Sequence, residues 1–132
     1  MTNSPNPFQP FAGHKYLSIE TFRKSGGGVR TPVWFAEVGF ESDSPLLYVY
    51  SEVQSGKAKR IRNNPRVRVA PCDIRGNVKG DWVEARAEIL QPADAARAMR
   101  ELNRKYGLMK RILDIFAAFR PNNRIVFAIR PA

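Results

Sequence analysis

Polar and apolar residues alternate from Lys15 to Arg23. Leu17, Ile19 and Thr21 fall on one side and Tyr16, Ser18, Glu20 and Phe22 on the other, the period-two pattern of a half-buried strand. Ser25-Gly26-Gly27-Gly28 is too glycine-rich for a helix and predicts a turn into a second strand from Val29 to about Val38, the two forming a hairpin. No Gly-Lys-Ser/Thr and no helix follow the glycine triplet, so a plain turn is preferred to a phosphate loop. After the polar stretch Glu41 to Pro45, the apolar run Leu46-Leu47-Tyr48-Val49-Tyr50 reads as a third strand. A short basic helix holding Lys57, Lys59, Arg60 and Arg62 comes next, then a fourth strand over Val67 to Cys72. A turn over Arg75 to Asp81 leads to a fifth strand, Trp82 to Leu90, where Val83, Ala85, Ala87 and Ile89 alternate with Glu84, Arg86 and Glu88. Pro92 opens a helix with Ala95, Met99, Leu102 and Tyr106 at helical spacing, which Gly107 ends. A second helix carries Met109, Ile112, Leu113, Phe116 and Phe119 up to Pro121, and the last strand, Arg124 to Arg130, turns Ile125, Phe127 and Ile129 inward. Six strands joined mostly by short links predict a mainly β (α+β) chain: a small antiparallel barrel with flanking helices.

At 132 residues the chain makes one domain, enough to bury about two-thirds of its unfolded surface. Pro5, Pro7 and Pro10 among Asn and Ser mark residues 1–13 as a mobile N-terminal arm, with 14–132 forming the single domain. No charged start precedes an apolar stretch, and no run reaches the ~18 apolar residues of a membrane helix. A cytoplasmic protein is expected. The lone Cys72 excludes an internal disulfide and multi-cysteine metal motifs, and reads as a small buried hydrophobe. His14 is the only histidine, which leaves no His-rich metal site and no obvious triad. The sequence contains no Gly-x-Ser-x-Gly, no His-Glu-x-x-His and no Walker loop, so no catalytic side chain and no metal site are assigned. The net charge of +10 attracts anions: nucleic acid, anionic lipid, or phosphorylated and carboxylated small molecules. A chain poor in acid–base equipment but rich in anion binders suits an enzyme whose cofactor carries the chemistry.

The stretch Ser51 to Pro65 focuses that charge. A strand, a small-residue break at Ser55-Gly56 and a helix bearing Lys57, Lys59, Arg60 and Arg62 gather backbone N–H groups and cations around one point, as a phosphate site requires. A basic helix that merely faces water has the same composition, and the charge run alone does not decide between the two.

In order, Thr31-Pro32-Val33-Trp34-Phe35, Leu47-Tyr48-Val49-Tyr50-Ser51, and Ser55-Gly56-Lys57-Ala58-Lys59-Arg60-Ile61-Arg62-Asn63-Asn64-Pro65-Arg66-Val67 resemble the split-barrel flavoproteins related to pyridoxamine 5′-phosphate oxidase. The resemblance spans roughly residues 15 to 130 and is strongest to the small branch that uses a 5-deazaflavin coenzyme, F420. It implies a six-stranded split β-barrel of the FMN-binding type and an oxidoreductase that transfers hydride to or from a small organic substrate. By that resemblance Lys57 holds the cofactor phosphate, Ser55 and Gly56 bring backbone donors, Ser51 a hydroxyl and Arg60 a second cation. Thr31, Pro32, Val33 and Trp34 match the strand lying along the ring. It also implies a homodimer with the cofactor at the interface, where Trp82 closes the pocket from the partner subunit. The chain stops at Ile129-Arg130-Pro131-Ala132, without the extended segment of the vitamin B6 oxidases, which puts that activity in doubt. Between FMN and F420 the latter is favoured, because its phosphodiester and oligoglutamate tail offer more negative charge to Lys57, Lys59, Arg60 and Arg62. Two rival readings remain. One is a protein that stores or senses the cofactor without turnover. The other, less favoured, is a nucleic-acid-binding barrel stacking bases on Trp34, Phe35, Tyr48 and Tyr50.

Overall fold

The alternation in residues 15–23 becomes strand β1 (Tyr16–Phe22), and the glycine turn joins it to β2 (Gly28–Val38). In that turn Gly26 takes φ of 97°, a conformation costly for any side-chain-bearing residue, while Arg23 N donates to Gly27 O at 2.9 Å. β3 (Leu46–Glu52), α1 (Gly56–Asn63), β4 (Arg66–Cys72), β5 (Val83–Ile89), α2 (Pro92–Tyr106) and β6 (Arg124–Pro131) follow. The structure, a computed structural model, describes residues 6–52, 55–106 and 124–132. The second helix expected over residues 109–119 lies outside them.

The six strands close into an antiparallel barrel in the order β1-β2-β3-β6-β5-β4, with β4 returning to β1. The predicted alternation puts Leu17, Ile19, Val33, Phe35, Leu47, Val49, Val67, Val69, Phe127 and Ile129 in the interior, all buried. β3 and β4 are not neighbours, so the chain must cross between them, and α1 makes that crossing. Its buried Ala58 and Ile61 join the same core cluster and cap the barrel. α2 lies outside, against β2, β3 and β6, where Leu102 and Met99 pack with Ala36, Trp34 and Tyr50 in a smaller cluster.

Two expectations are corrected. Residues 6–13 pack as part of the domain: Gln9–Phe11 form a 3-10 turn, and Phe8 and Phe11 are fully buried in the barrel core. Their rings meet edge to face at 5.8 Å, and Phe11 meets Phe35 likewise at 6.0 Å. Of the prolines that read as a mobile arm, Pro10 lies within this 3-10 turn. β1 is covered on both sides rather than half wet, because Ser18 and Glu20 on its outer side are also buried. Glu20 is enclosed by Arg30 at 3.2 Å and Arg68 at 3.1 Å. Neighbouring Gly28 leaves it room: a Cβ there would collide with the Glu20 carboxylate.

Candidate functional site

β2 changes partner halfway. From Gly28 to Trp34 it pairs with β1, and only from Phe35 to Val38 does it pair with β3. β3 in turn continues from Tyr50 to Glu52 against β6. Between the first half of β2 and the last residues of β3 the barrel wall therefore opens into a cleft of about 320 Å³, lined by Pro32, Val33, Trp34, Tyr50, Ser51, Ser55 and Lys57. That volume lies at the lower end of the range for small-molecule pockets.

Period two of the strands explains who lines it. Val33 and Ser51 lie on the barrel-interior side of their strands, whereas Pro32, Trp34 and Tyr50 lie on the outer side, so the cleft is walled by both faces and by strand backbone. At one end α1 begins. Ser55 caps it by accepting from Ala58 N at 3.2 Å, and the Ser51 and Ser55 hydroxyls meet at 3.1 Å. Lys57, in the first turn, brings a cation to the same point. A helix N-terminus, two hydroxyls and an ammonium fit a phosphate; the strand edge, Trp34 and Val33 fit a flat, largely apolar ring.

Six residues singled out from the sequence, Pro32, Val33, Trp34, Ser51, Ser55 and Lys57, thus line one cleft. The other four stand apart from its lining. Thr31 is paired with Ile19 one residue before Pro32, and Gly56 starts α1. Arg60 turns back across Gly56, where an added Cβ would approach its Nη1 at 2.7 Å, and its Nε donates to Thr21 Oγ1 at 2.6 Å. Burial, and then the nearby Arg23, lower the Arg60 pKa. Trp82 does not reach the cleft of its own chain: Arg30 and Arg68 stack over its ring at 4.5 and 5.3 Å on the outer wall of the barrel. Tyr50 lines the cleft and was missed as a site residue, although its place just before Ser51 at the end of β3 was the available signal.

Of the aromatics proposed for base stacking, Phe35 is wholly inside the core, and Trp34 and Tyr50 pack beside α2. Among the described residues no three His, Cys, Asp or Glu side chains gather to hold a metal, and no helix is long and apolar enough to cross a membrane. Cys72 is buried, and its thiol is pushed up to about 11, chiefly by desolvation and also by Asp73.

Neither a family model nor a curated protein matches the sequence. Solved structures do match in shape. The heme storage protein HutZ from Vibrio cholerae has a TM-score of 0.69 at 15% identity, over 100% of this chain and 92% of its own. A putative pyridoxamine 5′-phosphate oxidase from Listeria innocua has a TM-score of 0.60 at 15% identity, over 89% and 84%. A protein described as an F420 reductase has a TM-score of 0.60 at 19% identity, over 98% and 96%. The chain spans 48% of a further match, a protein of unknown function from Agrobacterium tumefaciens. With its closed six-stranded ring and helix-capped end, this chain has the split-barrel fold of the pyridoxamine 5′-phosphate oxidase-like proteins.

Proposed function

We propose that the chain is an oxidoreductase that binds a flavin-type cofactor in the β2–β3 cleft, with the deazaflavin F420 favoured over FMN. The observation that carries the reading is the convergence of Ser51, Ser55 and Lys57 at the α1 N-terminus with the strand segment Pro32-Val33-Trp34 across one opening in the barrel. Ser51, Ser55 and Lys57 would hold the phosphate, and Gly56 would contribute its backbone. Pro32, Val33 and Trp34 would lie along the ring, with Tyr50 opposite. When bound, the cofactor supplies hydride transfer to or from a small organic substrate. The chain's contribution is to position the ring and keep water from one face of it. The match to an F420 reductase supports this reading, and so do the further cations that α1 carries after Lys57, of which Lys59 and Arg62 are exposed.

Absorbance titration of the purified protein with F420 and with FMN tests it. Lys57→Glu should weaken binding at least tenfold, because one charge-assisted hydrogen bond is worth ~1.5–3 kcal/mol. Lys79→Glu should leave affinity unchanged, since Lys79 lies on the β4–β5 connection facing Asp73 at 3.9 Å. Equal losses in both variants would refute the placement of the phosphate. Tight binding with no reduction of any acceptor would point instead to storage or sensing.

A further inference from the structure

The outer wall of the barrel carries three arginines side by side. Arg66 of β4 is paired across the ladder with Arg86 of β5, and Arg86 in turn with Arg130 of β6. Directly opposed residues in an antiparallel sheet have Cβ atoms about 4.5–5.5 Å apart, and like charges so placed destabilise the sheet. The two nearby carboxylates do not relieve Arg86. Glu84 is taken up by Arg66 at 3.1 Å and Arg68 at 3.2 Å, and Glu88 reaches Arg130 at 3.6 Å, an exposed pair of little strength. Among the described residues Arg86 has no ion pair. Beside it the surface sinks into a hollow of about 560 Å³, whose lining includes Arg86, Glu88 and Arg130 together with the small residues Ala87 and Ala128. Arginine forks beside small residues hold an anion bidentately while shielding one side of it from water.

We propose that this hollow is a second binding site, separate from the β2–β3 cleft, for a small ligand bearing at least two negative charges, held by Arg86 and Arg130. The proposal does not depend on the cofactor reading, because the two openings share no lining residue. Phosphate esters and polycarboxylates share the required chemistry, and inorganic pyrophosphate and citrate are the probes that separate them.

Calorimetric titration of the full chain with each probe, at low and moderate salt, tests the site. The wild type should bind one of them, with the preferred probe naming the class. Arg86→Ala should weaken that binding roughly tenfold or more, and Arg86→Lys, which keeps the charge but loses the fork, should fall between. Arg97→Ala, on the exposed surface of α2, should leave it unchanged. Arg86→Ala should also melt at or above the wild-type midpoint, because it relieves a repulsive row. Binding that survives in Arg86→Ala, or that disappears in Arg97→Ala, would overturn the proposal. So would an Arg86→Glu variant that changes the sedimentation coefficient without changing the titration, since the face would then be a contact between copies.

Discussion

Cys72 shows how far a single residue can be read. Its isolation in the sequence excluded a disulfide, but only its place at the end of β4, 3% exposed, shows that its thiol is withheld from solvent. Desolvation raises its pKa to about 11 against an ordinary 9.0, so the native state retains a proton that the unfolded state has begun to lose between those values. Stability from this group is therefore complete below about pH 9 and declines as pH rises toward 11. In the folded protein at pH 8, Cys72 should react with a disulfide reagent only at the rate of unfolding, whereas unfolded protein should react at once. Rapid native labelling would show an accessible thiolate. Trp82 gives the opposite lesson. Nothing in Asp81-Trp82-Val83 reveals that two arginines from other strands stack on the indole, because those partners lie about 50 and 14 positions away and meet it only through the β1–β2, β1–β4 and β4–β5 ladders.

At the scale of elements, strand and helix identities follow local pattern, and the differences arise where an element packs on both sides. β5 keeps its wet face, with Glu84, Arg86 and Glu88 exposed, and its alternation is plain in the sequence. β1 loses its wet face because Arg30 and Arg68 fold over Glu20. The segment before β1 packs too, which rests on Phe8 and Phe11 entering the barrel. Phe11→Ala should destabilise the domain by about 3–5 kcal/mol in denaturant unfolding, the usual cost of emptying a buried aromatic site. A change below about 1 kcal/mol would restore the reading of a loose arm. Gly13 N donates to Glu37 Oε2 at 3.0 Å, and Lys105 of α2 pairs with Glu37 Oε1 at 2.6 Å, so one carboxylate on β2 ties this plug to the outer helix. Burial lowers the Lys105 pKa, with Glu37 opposing the shift.

For the whole molecule, the cleft is open to one side of the barrel and the indole of Trp82 lies on a different wall. If Trp82 closes a cofactor site at all, it must come from a second copy. Met109, Ile112, Leu113, Phe116 and Phe119 recur at helical spacing in the sequence, and although they lie outside the described residues, that apolar stripe is the basis for expecting a second copy. Sedimentation should accordingly show a homodimer at micromolar concentration. A monomer with full cofactor occupancy would remove Trp82 from the site and leave the cleft complete within one chain.

The sequence alone was enough for the six strands, the basic helix, the glycine turn and the position of Ser55 to Lys57 at the start of that helix, because each depends on residues within a few positions of one another. Only the tertiary structure decided that β2 abandons β1 for β3 at Phe35 and so opens the wall, that Tyr50 joins Trp34 there, and that Arg60 turns away to Thr21. It also decided the alignment of Arg66, Arg86 and Arg130. Each of these depends on which strands become neighbours and in what register, and that is fixed by closing the barrel around a shared core, a constraint no local window of residues contains.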